Sequence, residues 1–309
     1  MKKLHLTRFA AVATVALMGS TAAWADVSAS GTGWSFSSDG TLTLNSKSGS
    51  NTLAISSGEA STITGVSQVV VDRGTSGTTQ FSTIMLPVDV SVDGHNQIVA
   101  AYTVGTMTYY DNNKVPELTM NSVTNLQANK PYIIKFKDGE FGTDKNITFG
   151  KLLSSVQPTD GSSHTVQVDG SCFSMTGTYE TKQWNNGSSL SNDYGFSADD
   201  KGGVSVGQFV RIQNNPNNDC VTIYPARAYL TCTKPQLVNG LGKVAEESLP
   251  DVINVRFVDN EGGTLSIGTM NTKTGEIQMQ DRYYDLKGRK LNGKPQNKVM
   301  YVNKKVIKH

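Results

Sequence analysis

Long apolar stretches are nearly absent from this chain of 309 residues. One lies near the N-terminus, at residues 9–18, and is too short for a membrane-spanning helix, which needs about 20 residues. No later segment approaches that length. Charged residues make up only 17% of the chain, and its body lacks the helical spacing of apolar residues. We therefore expect neither a membrane-spanning helix nor a helical fold in the mature protein.

Chemical groups for catalysis are also scarce. The chain has no H-E-x-x-H or P-loop pattern, and only His95 and His164 lie in its body. Two isolated histidines do not make a zinc site, which needs three or four ligands. A glycosidase needs two facing carboxylates, but Glu117, Glu140 and Glu180 read as charges at strand ends. The sequence thus predicts a protein that is not an enzyme, with an unrecognised secreted hydrolase as one alternative.

Glycine, serine, threonine and asparagine are abundant, which is typical of strands joined by polar turns. The turn pair Asp39-Gly40, for example, precedes the alternating segment TLTL at residues 41–44. Residues 97–104 and 107–110 are predicted as separate strands further along. We predict an all-β fold in which multiple short antiparallel strands form β-sandwich-like domains, with very little helix.

The first 25 residues have the features of a secretory signal peptide. Basic residues precede the apolar run, and Ala23-Trp24-Ala25 fits a cleavage site, so Asp26 is the expected mature N-terminus. The predicted organisation is a signal peptide (1–25), an N-terminal β-hairpin module (26–79), a central β-rich domain (80–233), a linker (234–250) and a C-terminal β-sandwich or sorting-like domain (251–309).

Charge is distributed unevenly along the chain. Residues 282–309 carry nine Lys or Arg against one acidic residue, whereas residues 26–281 carry 16 Lys or Arg against 25 Asp or Glu. Phosphate binding needs clustered basic side chains, so an acidic body argues against nucleic acid as a partner.

The basic tail contains YDLKGR at residues 284–289 and YVNKKV at residues 301–306. It resembles the C-terminal sorting domains of Bacteroidota and Fibrobacterota proteins exported by the type IX secretion route, whose usual form is YDLxGRxV followed by GxYxVNGKKVxxK. The resemblance implies export to the outer cell surface or medium through contact with that secretion machinery. A chain whose tail does not act as a signal would stay in the periplasm. The matching positions include Tyr284, Asp285, Leu286, Gly288, Arg289, Tyr301, Lys304 and Lys305.

Four blocks of the central region form a second pattern. They read FSTIMLPVD (81–89), LQANKPYII (126–134), MTGTY (175–179) and IYPARAYLT (223–231). In this order they resemble a β-rich domain that recurs in large secreted proteins of the Bacteroidota. The resemblance implies an architecture more than an activity.

Exposed aromatic rings on a β face can stack on sugars. Trp184 lies in the polar segment KQWNNG, and Tyr194 and Trp34 are further candidates for carbohydrate binding. The expected partner would be a cell-surface or plant-type polysaccharide. Burial in a β core is the alternative for each ring.

Two acidic loops are candidates for Ca²⁺, because hard oxygen ligands often lie in turns of extracellular β domains. One loop contains Asp199 and Asp200, and the other contains Asp259 and Glu261. Neither has EF-hand spacing, and ordinary turn chemistry explains both loops without an ion, because Asp and Asn stabilise turns by themselves. We therefore predict no cofactor, with Ca²⁺ as the alternative.

Three cysteines occur in the chain. A disulfide between Cys220 and Cys232 is the predicted pairing in an oxidising compartment, which would leave Cys172 over. Three buried, unpaired thiols are the alternative.

These observations predict a secreted or cell-surface, non-catalytic protein with a structural or adhesive role. The main alternative is a carbohydrate-binding module that assists polysaccharide degradation.

Overall fold

The computed structural model is almost entirely β-stranded. It describes residues 28–47, 49–74, 80–108, 116–137, 146–160, 164–184, 191–198, 206–212, 221–232 and 249–258, together with the backbone of six short strands between residues 268 and 308. These residues form 25 strands and one helix of six residues. The predicted all-β class with very little helix is confirmed.

Most strands are short. In chain order they are β1 (Ala29–Gly31), β2 (Trp34–Phe36), β3 (Thr41–Asn45), β4 (Gln68–Asp72), β5 (Phe81–Met85), β6 (Val90–Ser91), β7 (Ile98–Thr108), β8 (Glu117–Val123), β9 (Asn125–Leu126), β10 (Pro131–Phe136), β11 (Asn146–Phe149), β12 (Thr165–Gln167), β13 (Phe173–Thr178), β14 (Lys182–Trp184), β15 (Asp193–Phe196), β16 (Gln208–Arg211), β17 (Val221–Ile223), β18 (Arg227–Cys232), β19 (Val252–Val258), β20 (Gly268–Met270), β21 (Ile277–Met279), β22 (Tyr283–Tyr284), β23 (Lys290–Leu291), β24 (Tyr301–Asn303) and β25 (Val306–Lys308). The helix α1 (Ser57–Thr62) lies between β3 and β4.

A five-stranded sheet contains the N-terminal strands in the order β1-β2-β3-β4-β11. Its neighbours are antiparallel except β3 and β4, which are parallel and joined through α1. Ser56 caps this helix: its hydroxyl accepts from Glu59 N at 3.3 Å, and its own N–H donates to the Glu59 carboxylate at 2.7 Å. Because β11 comes from residues beyond 140, the sheet crosses the boundary predicted at residue 79.

A ten-stranded sheet forms most of the remaining body, in the order β12-β13-β18-β15-β16-β19-β8-β7-β10-β5. It curls until its edge strand β5 meets β18. Met85 N donates to Ala226 O at 3.1 Å, and Ala228 N donates to Thr83 Oγ1 at 3.1 Å. Gly177 on β13 permits this approach, because a Cβ there would overlap the sulfur of Met85.

The first core lies between the five-stranded sheet and the outer face of the curled sheet. Leu42, Leu44 and Phe149 come from the five-stranded sheet, and Ile84 and Ile134 come from the curled sheet. All five side chains are fully buried. Removing this apolar surface from water is the main force that holds the two sheets together.

The second core lies inside the curl and is smaller, so its six aromatic residues are a larger share of its 19 buried members than the six among 27 in the first core. Phe81 stacks on Phe257 with ring centroids 5.0 Å apart, and Tyr102 lies 4.5 Å from Phe257. Phe173 and Phe209 complete the set of buried phenylalanines in this core. Such ring pairs add about 0.5–1.5 kcal/mol each to the stabilisation from burial.

Strand β10 separates the two cores and supplies both. Its side chains alternate in direction, so Ile133 faces the second core while its neighbours Tyr132 and Ile134 face the first. A strand buried on both faces requires a continuous apolar run, which explains the sequence YII.

The C-terminal region adds a hairpin of β20 and β21 and a four-stranded antiparallel sheet in the order β23-β22-β24-β25. Strand β19, in contrast, pairs with β16 and β8 of the curled sheet. The domain boundary predicted at residue 251 therefore assigns β19 to a different domain from the strands with which it pairs.

Among the residues that the structure describes, no helix has both the length and the apolar character needed to cross a membrane.

Candidate functional site

The best-defined cluster of polar and aromatic side chains at the surface centres on Trp184. Strand β14 pairs antiparallel with β17 in a separate two-stranded sheet, with Trp184 opposite Val221. Lys182 and Trp184 are two residues apart and therefore lie on the same face of β14. Trp184 is half-buried, and the Val221 side chain opposite it is 40% exposed.

Asp193, on β15, holds this face in place. Its Oδ2 atom accepts from the indole Nε1 of Trp184 at 2.8 Å and from Lys182 Nζ at 3.1 Å. The ammonium also donates to the hydroxyl of Tyr229 at 2.8 Å. Burial lowers the pKa of the Lys182 amine. The contacts with the Tyr229 hydroxyl and the Asp193 carboxylate have a larger effect in the opposite direction, so the pKa is raised overall.

The rings of the cluster are arranged edge to face. Trp184 and Tyr229 have centroids 5.5 Å apart at an angle of 78°, and Lys182 Nζ lies 4.9 Å from the indole centroid. These contacts fix the orientation of the indole. The cluster therefore presents a preoriented ring beside a cation and a carboxylate, a combination that suits a polar ligand with an apolar face.

The other two aromatic candidates do not join it. Trp34 is 3% exposed in the first core, where its Nε1 donates to Ala54 O at 2.8 Å. Tyr194 is fully buried in the second core, and its hydroxyl donates to Pro250 O at 2.8 Å. Neither ring has a face open to a sugar, because other strands pack over both. The assignment of these two rings to a carbohydrate site is therefore wrong.

The cysteine pairing also differs from the prediction. Cys172 is bonded to Cys232, with their Cα atoms 5.1 Å apart. The register of β13 and β18 explains this, because Phe173 lies opposite Cys232 and brings the preceding residue to it. The predicted bond between Cys220 and Cys232 is therefore wrong, and Cys220 lies outside the described residues.

The predicted metal ligands Asp199, Asp200, Asp259 and Glu261 lie outside the described residues. In the parts of the chain that are described, no group of three or more His, Cys, Asp or Glu side chains could hold a metal ion.

In the sorting-like tail, Tyr284 and Tyr301 lie on the paired strands β22 and β24. The other tail positions, Asp285, Leu286, Gly288, Arg289, Lys304 and Lys305, lie outside the described residues.

Both histidines of the body make structural contacts. His95 Nδ1 accepts from the backbone N–H groups of Gln97 and Ile98, each at 3.0 Å, and burial lowers its pKa. His164 Nε2 lies 3.1 Å from Thr159 O, and its ring packs edge-on against Tyr179.

Of the three carboxylates considered for glycoside hydrolysis, the two that the structure describes make separate contacts. Glu117 pairs with Arg256 at 3.1 Å, Glu180 forms an isolated bridge with Thr52, and Glu140 lies outside the described residues.

The sequence contains a G-x-S-x-G pattern, GVSVG at residues 203–207, although no such nucleophile motif was expected. In hydrolases this pattern places its serine on a turn from a strand into a helix. Here Gly207 leads directly into strand β16, and Ser205 lies outside the described residues.

Sequence reasoning also missed two arginines in the body, the buried Arg73 and the half-buried Arg227. The burial of Arg73 could have been predicted from the sequence. In the preceding strand QVVVD every second side chain is buried, and Arg73 is the next position in that alternation.

A polar cleft of about 440 Å³ lies elsewhere on the surface. Its lining offers amide, hydroxyl and ammonium groups, including Asn45, Lys47, Asn51 and Thr52. Aromatic rings are not among its lining residues, so it lacks a stacking surface for sugars.

Comparisons with protein-family models, curated proteins and solved structures find no match to this chain.

Proposed function

We propose that this chain is an exported, non-catalytic protein of the cell surface with a structural or adhesive role. The observation that best supports the non-catalytic part is that three reactive side chains among the described residues are used in structural contacts. Cys172 and Cys232 are joined in a disulfide, and the Nδ1 atom of His95 accepts two backbone hydrogen bonds. A nucleophile or a general base needs the same atoms free for its substrate.

Adsorption measurements test the adhesive role. Chain 26–309 should be retained on intact bacterial cells or on surfaces coated with extracellular polymers, measured with a quartz crystal microbalance. Failure to adsorb to every surface would contradict the adhesive role. Turnover of any glycan, ester or peptide substrate by the purified chain would contradict the non-catalytic assignment.

Export is tested separately by deleting residues 283–309. We expect the truncated protein to stay in the periplasm, because the tail resembles a sorting signal. Fractionation of the cells measures this directly. Normal surface display of the truncated protein would mean that the tail is only a terminal sheet.

Carbohydrate binding is the second candidate, and the Trp184 cluster favours it. The indole is held by Asp193 and remains partly exposed beside Lys182, so it could stack on a sugar ring while the charged groups bind hydroxyls. Such a ring would be a preoriented anchor of the kind that dominates binding energy.

Binding to insoluble polysaccharide tests this candidate. Trp184→Ala should weaken binding about 30-fold, as expected for an anchor worth about 2 kcal/mol, whereas Trp184→Phe should keep part of it. The control is Val99→Ala, which changes an exposed apolar residue on the distant strand β7. The carbohydrate candidate would fail if the wild-type chain bound no polysaccharide, or if Trp184→Ala bound as well as the control.

A further inference from the structure

Two arginines meet where the five-stranded sheet, β5 and the turn before β18 come together. Arg73, which follows β4, is 1% exposed. Its Nη2 atom donates to Thr83 O at 2.9 Å and to Ala226 O at 3.4 Å. Ala226 is the residue directly before Arg227, so the first guanidinium group lies beside the backbone of the second arginine.

Arg227 is half-buried and reaches the same junction from β18. Its Nη2 atom donates to Ser46 O at 3.5 Å, and its guanidinium carbon lies 5.8 Å from the ring centroid of Tyr224. Since Arg227 retains some exposure, the junction has an opening toward solvent.

The donors of this pair are not all used. Three buried nitrogen atoms have no hydrogen-bond partner: Nε and Nη1 of Arg73, and Nε of Arg227. Burial and, for Arg73, the charge of Arg227 lower the pKa values of both guanidinium groups. Unpaired buried donors and adjacent like charges both destabilise a fold unless something compensates them.

In the described part of the chain, no carboxylate supplies that compensation. Among the described residues, neither arginine forms an ion pair, and the acid next in sequence, Asp72, instead binds Lys47 Nζ at 2.8 Å and the backbone N–H of Gly74 at 3.0 Å. The contrast with Arg211 is informative. That side chain is 3% exposed, but it donates to Ser191 O at 2.7 Å and to Leu249 O at 3.3 Å.

We propose that Arg73 and Arg227 form a binding site for a small inorganic anion, either a halide or a tetrahedral oxyanion. The anion accepts from the unpaired N–H groups and neutralises the repulsion between the two guanidinium groups. Arginine suits this role because it stays charged and carries several donors on one planar group. The bound anion joins β4 to β18 and so ties the five-stranded sheet to the seam of the curled sheet.

Thermal unfolding of chain 26–309 in bromide and in sulfate, at matched ionic strength, tests the site. At an anion concentration about 100-fold above the dissociation constant, the Tm of the wild type should rise by about 5 °C more than that of Arg73→Met. Arg227→Met should lose the same increment. Arg211→Lys is the matched control, because it alters a buried arginine elsewhere and should keep the increment.

Comparing variants within one salt removes the general effects of that salt on stability. An equal rise in Tm for the wild type and both methionine variants would overturn the proposal. A rise in bromide alone would assign the site to a halide, and a rise in sulfate alone would assign it to an oxyanion.

Crystals of the wild-type chain soaked in bromide provide a test that does not depend on the variants folding. An anomalous peak within hydrogen-bonding distance of Arg73 Nε or Nη1 is the expected result. If bromide and sulfate both leave this junction without ion density, the proposal is wrong.

Discussion

The two cores of this protein are neighbours with different chemistry. The first is formed between two sheets and has six aromatic residues among 27 buried members, whereas the second lies within one curled sheet and has six among 19. Their shared strand β10 sends adjacent isoleucines to opposite sides. Each half of the body has its own hydrophobic cluster, and β10 contributes side chains to both.

The second core also contains a stacked ring pair and a disulfide, two contacts that require a particular orientation of the groups they join. Its stacked pair Phe81 and Phe257, and the disulfide between Cys172 and Cys232, restrict how its strands can lie relative to one another. The first core has no cysteine among its described members, and the ring of His95 packs against its Phe149. We therefore expect the two cores to differ in how they respond to redox conditions and to pH, but to unfold together.

The largest effects should come from Ile133→Ala and Ile134→Ala, which truncate fully buried residues of the same type on the same strand. Each should lower the free energy of unfolding by about 2–5 kcal/mol, because each leaves a cavity in one core. Because β10 couples the cores, urea unfolding should remain a single transition in both variants.

Val99→Ala serves as the control for these two substitutions, because its side chain is 56% exposed and its loss should change stability by less than about 0.5 kcal/mol. Two separate transitions in either isoleucine variant would show that the cores unfold independently.

The disulfide should have the next largest effect. Replacing Cys172 and Cys232 together by serine should lower the free energy of unfolding by about 2–4 kcal/mol, because the unfolded chain gains conformational freedom. Urea unfolding with and without a reductant measures this, and the double variant should not respond to the reductant. Peptide mapping that found Cys220 bonded to Cys232 would contradict the pairing.

A smaller effect is expected at the helix of the first core. Ser56→Ala removes the hydroxyl that accepts from Glu59 N, while the backbone N–H of residue 56 can still donate to the Glu59 carboxylate, and the change should cost about 1 kcal/mol of stability. Ser61→Ala is the matched control, because that hydroxyl donates only to Gly58 O within the helix. Chemical denaturation of the two variants compares them. An equal loss of stability in both variants would mean that the capping hydrogen bonds of Ser56 contribute no more than any other serine hydroxyl of the helix.

The smallest effect concerns pH and His95, whose ring lies 5.2 Å from that of Phe149 in the first core. Because burial lowers its pKa, the unfolded chain takes up the proton at a higher pH than the folded protein does. Its stabilising contribution is thus complete above about pH 6.5 and is lost as the pH falls through the lower folded-state pKa.

His95→Asn should keep a side-chain acceptor for the backbone N–H groups of Gln97 and Ile98 without this titration. Its stability should therefore fall less than that of the wild type between about pH 7.5 and about pH 5, measured by urea unfolding. A fall of equal size in both proteins would assign the pH dependence to other groups.

Local patterns in the sequence were enough to predict the fold class and many strands. The alternation TLTL gave the partly buried strand β3, and Asp39-Gly40 gave the turn before it, where Gly40 has a φ of +83°. Local patterns were less reliable at irregular positions. Residues 97–104 and 107–110 were predicted as two strands, but β7 runs from Ile98 to Thr108 through a bulge between Val104 and Met107.

The candidate site could be predicted only in part. Trp184 was singled out because its segment is polar, and the structure places it half-buried at the end of β14. Its partners Asp193 and Tyr229 come from two other strands, nine and 45 residues further along the chain. The short helix α1 was missed, although its capping box was present in the sequence as Ser56 and Glu59.

By itself, then, the sequence determined the β class of this protein, because strand alternation and turn chemistry are properties of neighbouring residues. Tertiary structure alone decided which aromatic rings are buried, which cysteine pairs with Cys232, and where β19 belongs. It also brought Arg73 and Arg227 to one junction. These outcomes depend on the pairing of strands far apart in the chain, and the register of such pairs is set by the packing of the whole core rather than by any local segment.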